Sequence, residues 1–217
     1  MLKLLVSIAL TVFLVLFYVD VKNIELPVFQ MTSEPVIVAK GHYGHSLIVE
    51  VSYSHDGFGE WLQTLSSPYP LLLLDADWIE RSEPIIKLIK EKKLPIGLLG
   101  TTSLDYEEDP DLLSKQLTVF KNAFGQLPLW FTTSDYTFPT ALQHELFAQQ
   151  INMLAPSMYY SFTQANAKLE DGEFIAIPLH RGENVQFESL STFINEQPFL
   201  SIEENIFGYT ISTKRYP

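Results

Sequence analysis

The segment at residues 53–57, YSHDG, places a serine, a histidine and an aspartate next to one another. These side-chain types supply the nucleophile, the base and the orienting acid of hydrolytic triads. However, neighbours on an extended chain point to opposite sides, and triad members come from separate elements of a fold. The spacing of Ser54, His55 and Asp56 therefore does not predict a triad.

Two further histidines, His42 and His45, lie in the motif GHYGHS. If a turn brought them together, they and Asp56 would offer imidazole and carboxylate ligands to a metal ion. The alternative is that both are surface histidines in a glycine-containing turn, and the sequence favours this second interpretation.

Three carboxylates, Asp75, Asp77 and Glu80, follow the apolar run at residues 71–74. Carboxylates that end a buried strand would lie at the mouth of a barrel, where active sites are found. Acidic residues are also favourable in the first turn of a helix. The sequence favours this helix-capping role for Asp77 and Glu80.

The stretch at residues 70–100 indicates which elements position these groups. It predicts a strand at 71–74, a short acidic loop, an amphipathic helix capped by Ser82 and a strand at 95–99, which together form a βαβ unit. Similar apolar runs and helical patterns alternate along the chain, and this alternation predicts an α/β fold, with a parallel sheet or an α/β barrel. The other predicted strands are 36–39, 47–51, 129–131, 151–154 and 174–177, and the other predicted helices are 110–124 (capped by Asp109), 140–150 and 188–196.

Composition excludes several classes of function. The 217-residue chain carries a formal charge of −12, which argues against nucleic acids and anionic membrane surfaces, because both require patches of lysine and arginine. It contains no cysteine, so disulfides, thiolate metal sites and cysteine nucleophiles are excluded.

The N-terminal region differs from the rest because residues 4–19, LLVSIALTVFLVLFYV, carry no charge. We expect residues 1–20 to form an uncleaved single-pass anchor in the cytoplasmic membrane, with residues 21–34 as a spacer. The domain at 35–217 would then be extracytoplasmic. A cleaved signal peptide, which would make the protein secreted, and a buried core helix are the alternatives.

The order of these motifs resembles that of a polysaccharide deacetylase (NodB-homology) domain of the carbohydrate esterase type. The resemblance covers nearly all of residues 45–207 and is strongest at 71–97, LLLLDADWIERSEPIIKLIKEKKLPIG. Near the end, FIAIPLH at 174–180 resembles the strand that closes on Leu-His in that family. The resemblance implies a distorted (β/α) barrel, preceded here by one N-terminal transmembrane helix.

Members of that family remove acetyl groups from chitin-like or peptidoglycan sugars with a divalent metal, usually zinc, held by one aspartate and an H-x-x-x-H pair. In this chain Asp56 matches the metal-binding carboxylate, whereas His55 occupies the position of the catalytic base. Leu99 and Ser103 replace both histidine ligands, and His180 matches the catalytic acid. Because Asp56 is the only matching ligand, we expect no bound metal or other cofactor.

Two hypotheses follow. In the first, the domain is catalytically inactive and binds a cell-envelope glycan or an envelope protein in the former active cleft. We expect that cleft to be lined by Asp75, Asp77, Trp78, Asp135 and Tyr136. In the second, the chain is an active N- or O-acetyl deacetylase with a non-standard zinc site, whose catalytic residues are His55, Asp56 and His180. A purely structural role in the envelope is a third possibility.

Overall fold

The computed structural model describes residues 32–160 and 169–208. The predicted anchor at residues 4–19 lies outside these ranges, as does most of the predicted spacer. None of the helices in the described part combines the length and the apolar character that a membrane crossing requires.

Eight strands and eight helices follow one another in the described residues. The strands are β1 (Ile37–Val38), β2 (His45–Val51), β3 (Leu71–Asp75), β4 (Ile96–Leu99), β5 (Trp130–Thr132), β6 (Asn152–Leu154), β7 (Met158–Tyr159) and β8 (Glu173–Leu179). The helices are α1 (Phe58–Thr64), α2 (Ala76–Arg81), α3 (Glu83–Lys92), α4 (Ser103–Glu108), α5 (Leu112–Phe124), α6 (Thr140–Ala148), α7 (Phe187–Glu196) and α8 (Ile202–Phe207).

The strands form a single sheet in the order β1-β6-β5-β4-β3-β2-β8-β7, and every pairing is parallel. The short link between β6 and β7 connects opposite sides of this sheet. Within it, Ala155 N donates a hydrogen bond to the Val38 carbonyl (3.0 Å), and Ser157 N donates one to the Phe174 carbonyl (2.9 Å). Because two residues of chain span only about 7 Å, the sheet must curl until its edges approach each other. The result is a curled, distorted barrel surrounded by helices, as the sequence predicted.

Two apolar layers hold the sheet. Alternate strand residues point into the barrel, and the intervening ones pack against the helices outside, so the central strands are largely apolar on both faces. The barrel interior contains Ile48, Leu71, Leu73, Leu99, Trp130, Leu154, Phe174 and Ile202. Strand residues of the outer layer include Val49, Val51, Leu72, Leu74, Leu98, Phe131, Ile175 and Ile177.

The predicted βαβ unit is confirmed, but its acidic loop is wrong because residues Ala76–Arg81 form helix α2. The Asp75 carboxylate accepts a hydrogen bond from Trp78 N (2.8 Å) and thereby caps this helix. Ser82 precedes α3 as predicted, although its side chain makes no capping hydrogen bond.

Other helix boundaries also differ from prediction. Helix α5 begins at Leu112 rather than at residue 110, and the residue before it is Asp111 rather than the predicted cap Asp109, because Asp109 ends α4. Helix α6 ends at Ala148 rather than 150, since Gln150 adopts a left-handed backbone conformation with φ of 59°. The sequence did not predict α1, α4, α8 or β7.

Candidate functional site

The carboxyl ends of the strands lie at one rim of the barrel, where the sequence predicts the cleft, and β2 contributes a buried carboxylate there that the sequence did not reveal. Glu50 is two residues after Ile48, so it points into the barrel, and only 1% of its side chain is exposed. It lies opposite Leu73 of β3 and Pro178 of β8. A carboxylate this deeply buried requires polar partners, because an unpaired buried charge is strongly unfavourable.

The first partner of Glu50 is Tyr136, in the loop after β5. The Tyr136 hydroxyl donates to Glu50, lying 2.7 Å from Oε1 and 2.8 Å from Oε2. Burial and the adjacent Glu50 charge raise the pKa of Tyr136 far above its ordinary range, so the phenol remains a neutral donor. The Tyr159 ring packs beside it with a centroid separation of 5.5 Å.

The second partner is His180, which follows β8. Its Nε2 lies 3.7 Å from Glu50 Oε2, and its Nδ1 lies 2.7 Å from the Ser52 hydroxyl oxygen. The imidazole therefore lies between a carboxylate and a serine, with 35% of its side chain exposed. His55 contacts this residue differently, because its Nε2 lies 3.0 Å from the His180 main-chain carbonyl oxygen.

The positions that match the metal ligands of the deacetylases are arranged differently. Asp56 is exposed, and no hydrogen bond or ion pair joins its carboxylate to another described residue. Leu99 is buried inside the barrel. Ser103 donates to Asp135 Oδ2 through both its main-chain nitrogen (2.9 Å) and its hydroxyl (2.7 Å).

Asp135 is thereby fixed on the rim of the cleft. Desolvation opposes its ionisation, but the hydrogen bonds from Ser103 and from Thr137 N outweigh it and hold the pKa of Asp135 below its usual value. This carboxylate is charged at neutral pH, and its oxygens are already occupied as acceptors.

These residues do not fit a zinc ion, which requires three or four nitrogen, sulfur or oxygen ligands at one point. No group of three or more histidine, aspartate or glutamate side chains in the described ranges is placed to hold a metal. A site shared by His45 and Asp56 is also ruled out, because the seven residues of β2 separate them by roughly 20 Å.

The remaining residues that were predicted to line the cleft belong to helix α2 or to the residue that caps it. Asp75 caps α2, and desolvation raises its pKa. Asp77 is exposed in the first turn of α2. Trp78 does not line the cleft: it is fully buried (0% exposed), packs against Phe58 and donates from Nε1 to the Ser54 hydroxyl at 2.9 Å.

The structure thus brings together Tyr136 and His180, which were predicted, with Glu50 and Ser52, which were not. A signal for Glu50 was present in the β2 sequence HSLIVEV, because a charged residue inside an apolar strand buried on both faces requires a specific role.

Comparisons with known proteins place the fold. No protein-family profile matches the sequence, and no curated protein matches it. Among solved structures, a CE4 family pseudoenzyme from Bacillus anthracis matches with a TM-score of 0.64 and 16% identity, over 79% of this chain and 69% of that one. A mutant of this pseudoenzyme with restored enzymatic activity matches with a TM-score of 0.61 and 16% identity, over 75% of this chain and 66% of that one.

Two further matches are a deacetylase and an esterase. A peptidoglycan N-acetylglucosamine deacetylase matches with a TM-score of 0.66 and 13% identity, over 77% of this chain and 91% of that one. PdaA of Bacillus subtilis, a family 4 carbohydrate esterase, matches with a TM-score of 0.63 and 13% identity, over 79% and 85% of the two chains. This chain spans about two thirds of the pseudoenzyme's length. The resemblance seen in the sequence is confirmed at the level of the fold: the chain has the fold of the CE4 family carbohydrate esterases.

Proposed function

We propose that this chain is a deacetylase-like domain that binds a cell-envelope glycan in its cleft without the metal-dependent chemistry of its structural relatives. One observation carries the proposal. The two positions that match the histidine ligands hold Leu99 and Ser103. The Leu99 side chain has no donor atom, and the Ser103 hydroxyl is hydrogen-bonded to Asp135. Asp56 would be the only protein ligand to a zinc ion, and a single carboxylate does not compete with water for zinc.

The nature of two structural relatives supports this assignment. One is a pseudoenzyme, which is consistent with retention of this fold without its catalytic activity. Another acts on N-acetylglucosamine in peptidoglycan, which makes an acetylated amino sugar a reasonable ligand class for the same cleft.

The cleft offers groups that suit a sugar. Tyr159 is 54% exposed, and its ring packs beside that of Tyr136, so an aromatic face is available for the C–H groups of a pyranose. His180 lies at the same end of the barrel, is partly exposed and provides a polar contact for hydroxyl and amide groups. Aromatic surface next to a few fixed polar groups is typical of small-molecule and sugar sites.

The proposal includes a location. If residues 4–19 anchor the chain in the cytoplasmic membrane, the domain lies outside it, close to envelope glycans. An envelope protein bound in the same cleft is the alternative ligand.

Calorimetric titration of the full chain with soluble N-acetylglucosamine oligomers tests the proposal. We expect Tyr159→Ala to weaken binding about two- to twelvefold, because stacking on one aromatic ring contributes roughly 0.5–1.5 kcal/mol. Tyr43→Ala is the matched control. Tyr43 is similarly exposed, at 50%, but precedes β2 at the opposite end of the barrel.

A metal chelator should leave this affinity unchanged. Absence of oligomer binding, or equal losses from Tyr159→Ala and Tyr43→Ala, would contradict a glycan site in the cleft. The chain could instead capture an envelope protein and bind no oligomer. If Tyr159→Ala abolishes that capture, the ligand of the cleft is that protein rather than a glycan.

A further inference from the structure

The contacts of His180 suggest chemistry that needs no metal. Its two ring nitrogens face different partners, Ser52 at 2.7 Å from Nδ1 and Glu50 at 3.7 Å from Nε2. Together they correspond to a nucleophile (Ser52), a general base (His180) and a carboxylate that orients the base (Glu50). The longer Glu50 separation is typical of relays without bound substrate, whose hydrogen bonds tighten in the reacting complex.

The fold supplies these groups from two neighbouring strands. Glu50 lies on β2. Ser52 is two residues after Glu50, on the same face, and directly follows the end of that strand. His180 follows the neighbouring strand β8. The serine main chain is held on both sides, because Ser52 N donates to the Leu179 carbonyl (3.3 Å) and Arg81 donates to the Ser52 carbonyl (2.7 Å). The hydroxyl is therefore held beside the imidazole.

The surrounding charges select the tautomer that this chemistry requires. The Glu50 carboxylate favours a proton on the His180 nitrogen that faces it, Nε2. Nδ1 is then an acceptor, and the Ser52 hydroxyl donates to it. Tyr136 donates to the same carboxylate and keeps it in place.

We infer that Ser52, His180 and Glu50 form a metal-free acyl-transfer site that takes an acetyl group from an oxygen ester. The Ser52 oxygen attacks the acetyl carbonyl carbon while its proton passes to His180 Nδ1. The bond from that carbon to the alcohol oxygen then breaks, and the alcohol leaves with the proton from the imidazolium. Water attacks the acetyl-serine in the same manner, releasing acetate and restoring the hydroxyl.

The substrate class follows from the groups present. An ester carbonyl is more electrophilic than an amide carbonyl, and its alkoxide leaves more readily than an amide nitrogen that has not been protonated. In the described residues, no group of three or more metal-ligating side chains would hold a cation to polarise an amide carbonyl. An O-acetyl ester is therefore preferred over an N-acetyl amide. The carrier of that ester, an acetylated envelope sugar, rests on the proposed function, whereas the nucleophile can be tested without it.

The test mixes p-nitrophenyl acetate with the full chain, stops the reaction with acid before water has cleared the acetyl-serine, and locates acetyl groups by peptide mass mapping. We expect one acetyl group per chain, on Ser52. Ser52→Ala should abolish this modification, whereas Ser54→Ala should retain it, because Ser54 is in the same loop but its hydroxyl contacts the Trp78 indole rather than a histidine. His180→Ala should slow acetylation of Ser52 by about 100-fold or more, the usual contribution of a general base.

Acetylation spread over surface lysines with Ser52 unmodified would overturn the inference, as would equal rates in wild type and His180→Ala. Because the ester probe carries no sugar, such a failure leaves the glycan titration untouched. Conversely, acetylation of Ser52 in a chain that binds no glycan would support the inference and contradict the proposed function.

Discussion

At the scale of single residues, the buried Glu50 explains the arrangement of the cleft. A carboxylate inside an apolar barrel is stable only when polar interactions replace its hydration. Tyr136 and His180 supply these interactions, and they arrive from sequence separations of 86 and 130 residues, respectively. The sequence of β2 alone shows that Glu50 needs partners, but it does not show which residues they are.

Asp75 allows a prediction about pH. Desolvation by burial, together with the nearby Asp77 charge, raises its pKa above 3.8 in the folded chain, despite the hydrogen bond from Trp78 N. A raised folded pKa means that the carboxyl contributes most to stability when protonated, and this contribution is lost as the pH rises through the folded value. Asp75→Asn mimics the protonated form and retains an oxygen that can cap α2. We therefore expect the stability of Asp75→Asn, relative to wild type, to increase from about pH 3.8 upward.

Urea unfolding at several pH values measures this difference. Asp75→Ala serves as the comparison, because it removes the charge and also the cap, at a further cost of about 1 kcal/mol at every pH. A difference between wild type and Asp75→Asn that stays constant or shrinks with rising pH would contradict the raised pKa of Asp75.

At the scale of elements, the central strands were predictable and several helices were not. Parallel strands buried on both faces read as apolar runs, which is why β2, β3 and β4 were located from the sequence. Helices α1, α4 and α8 contain only six or seven residues, too few to display a helical repeat of apolar residues. Helix α2 was hidden for another reason, because its acidic residues suggested a loop.

Gly97 in β4 permits a close approach between strands. A Cβ atom at this position would lie 2.6 Å from the Trp130 carbonyl oxygen and 2.6 Å from Leu73 Cδ2. Since the carbonyl belongs to the neighbouring strand and cannot move aside, Gly97→Ala should destabilise the fold by about 1–3 kcal/mol in urea unfolding.

The matched control is Gly59→Ala in helix α1. A Cβ there would meet only the flexible tip of Ile85, at 3.1 Å, and alanine favours the helix by up to about 1 kcal/mol. The close packing of β4 would be contradicted if both variants had the same unfolding midpoint as wild type.

At the scale of the whole molecule, the curled sheet determines which residues meet. Closure of the sheet brings the loops after β2, β5 and β8 to one rim, so Ser52, Tyr136 and His180 become neighbours. The sequence predicted that rim as the site, because loops at the carboxyl ends of strands carry function in such barrels. It did not distinguish residues that enter the cleft, such as Tyr136, from Trp78, which packs beneath it, because both are aromatic residues near strand ends.

A zinc titration of the full chain by calorimetry, combined with elemental analysis of the purified protein, tests the central claim that the cleft works without a metal. We expect no stoichiometric zinc binding in wild type or in Asp56→Ala, because Leu99 has no donor atom and the Ser103 hydroxyl is hydrogen-bonded to Asp135. Leu99→His combined with Ser103→His serves as the reference, since it restores the two missing imidazoles. One zinc per wild-type chain that is lost on Asp56→Ala would contradict the account and indicate a metal-dependent deacetylase.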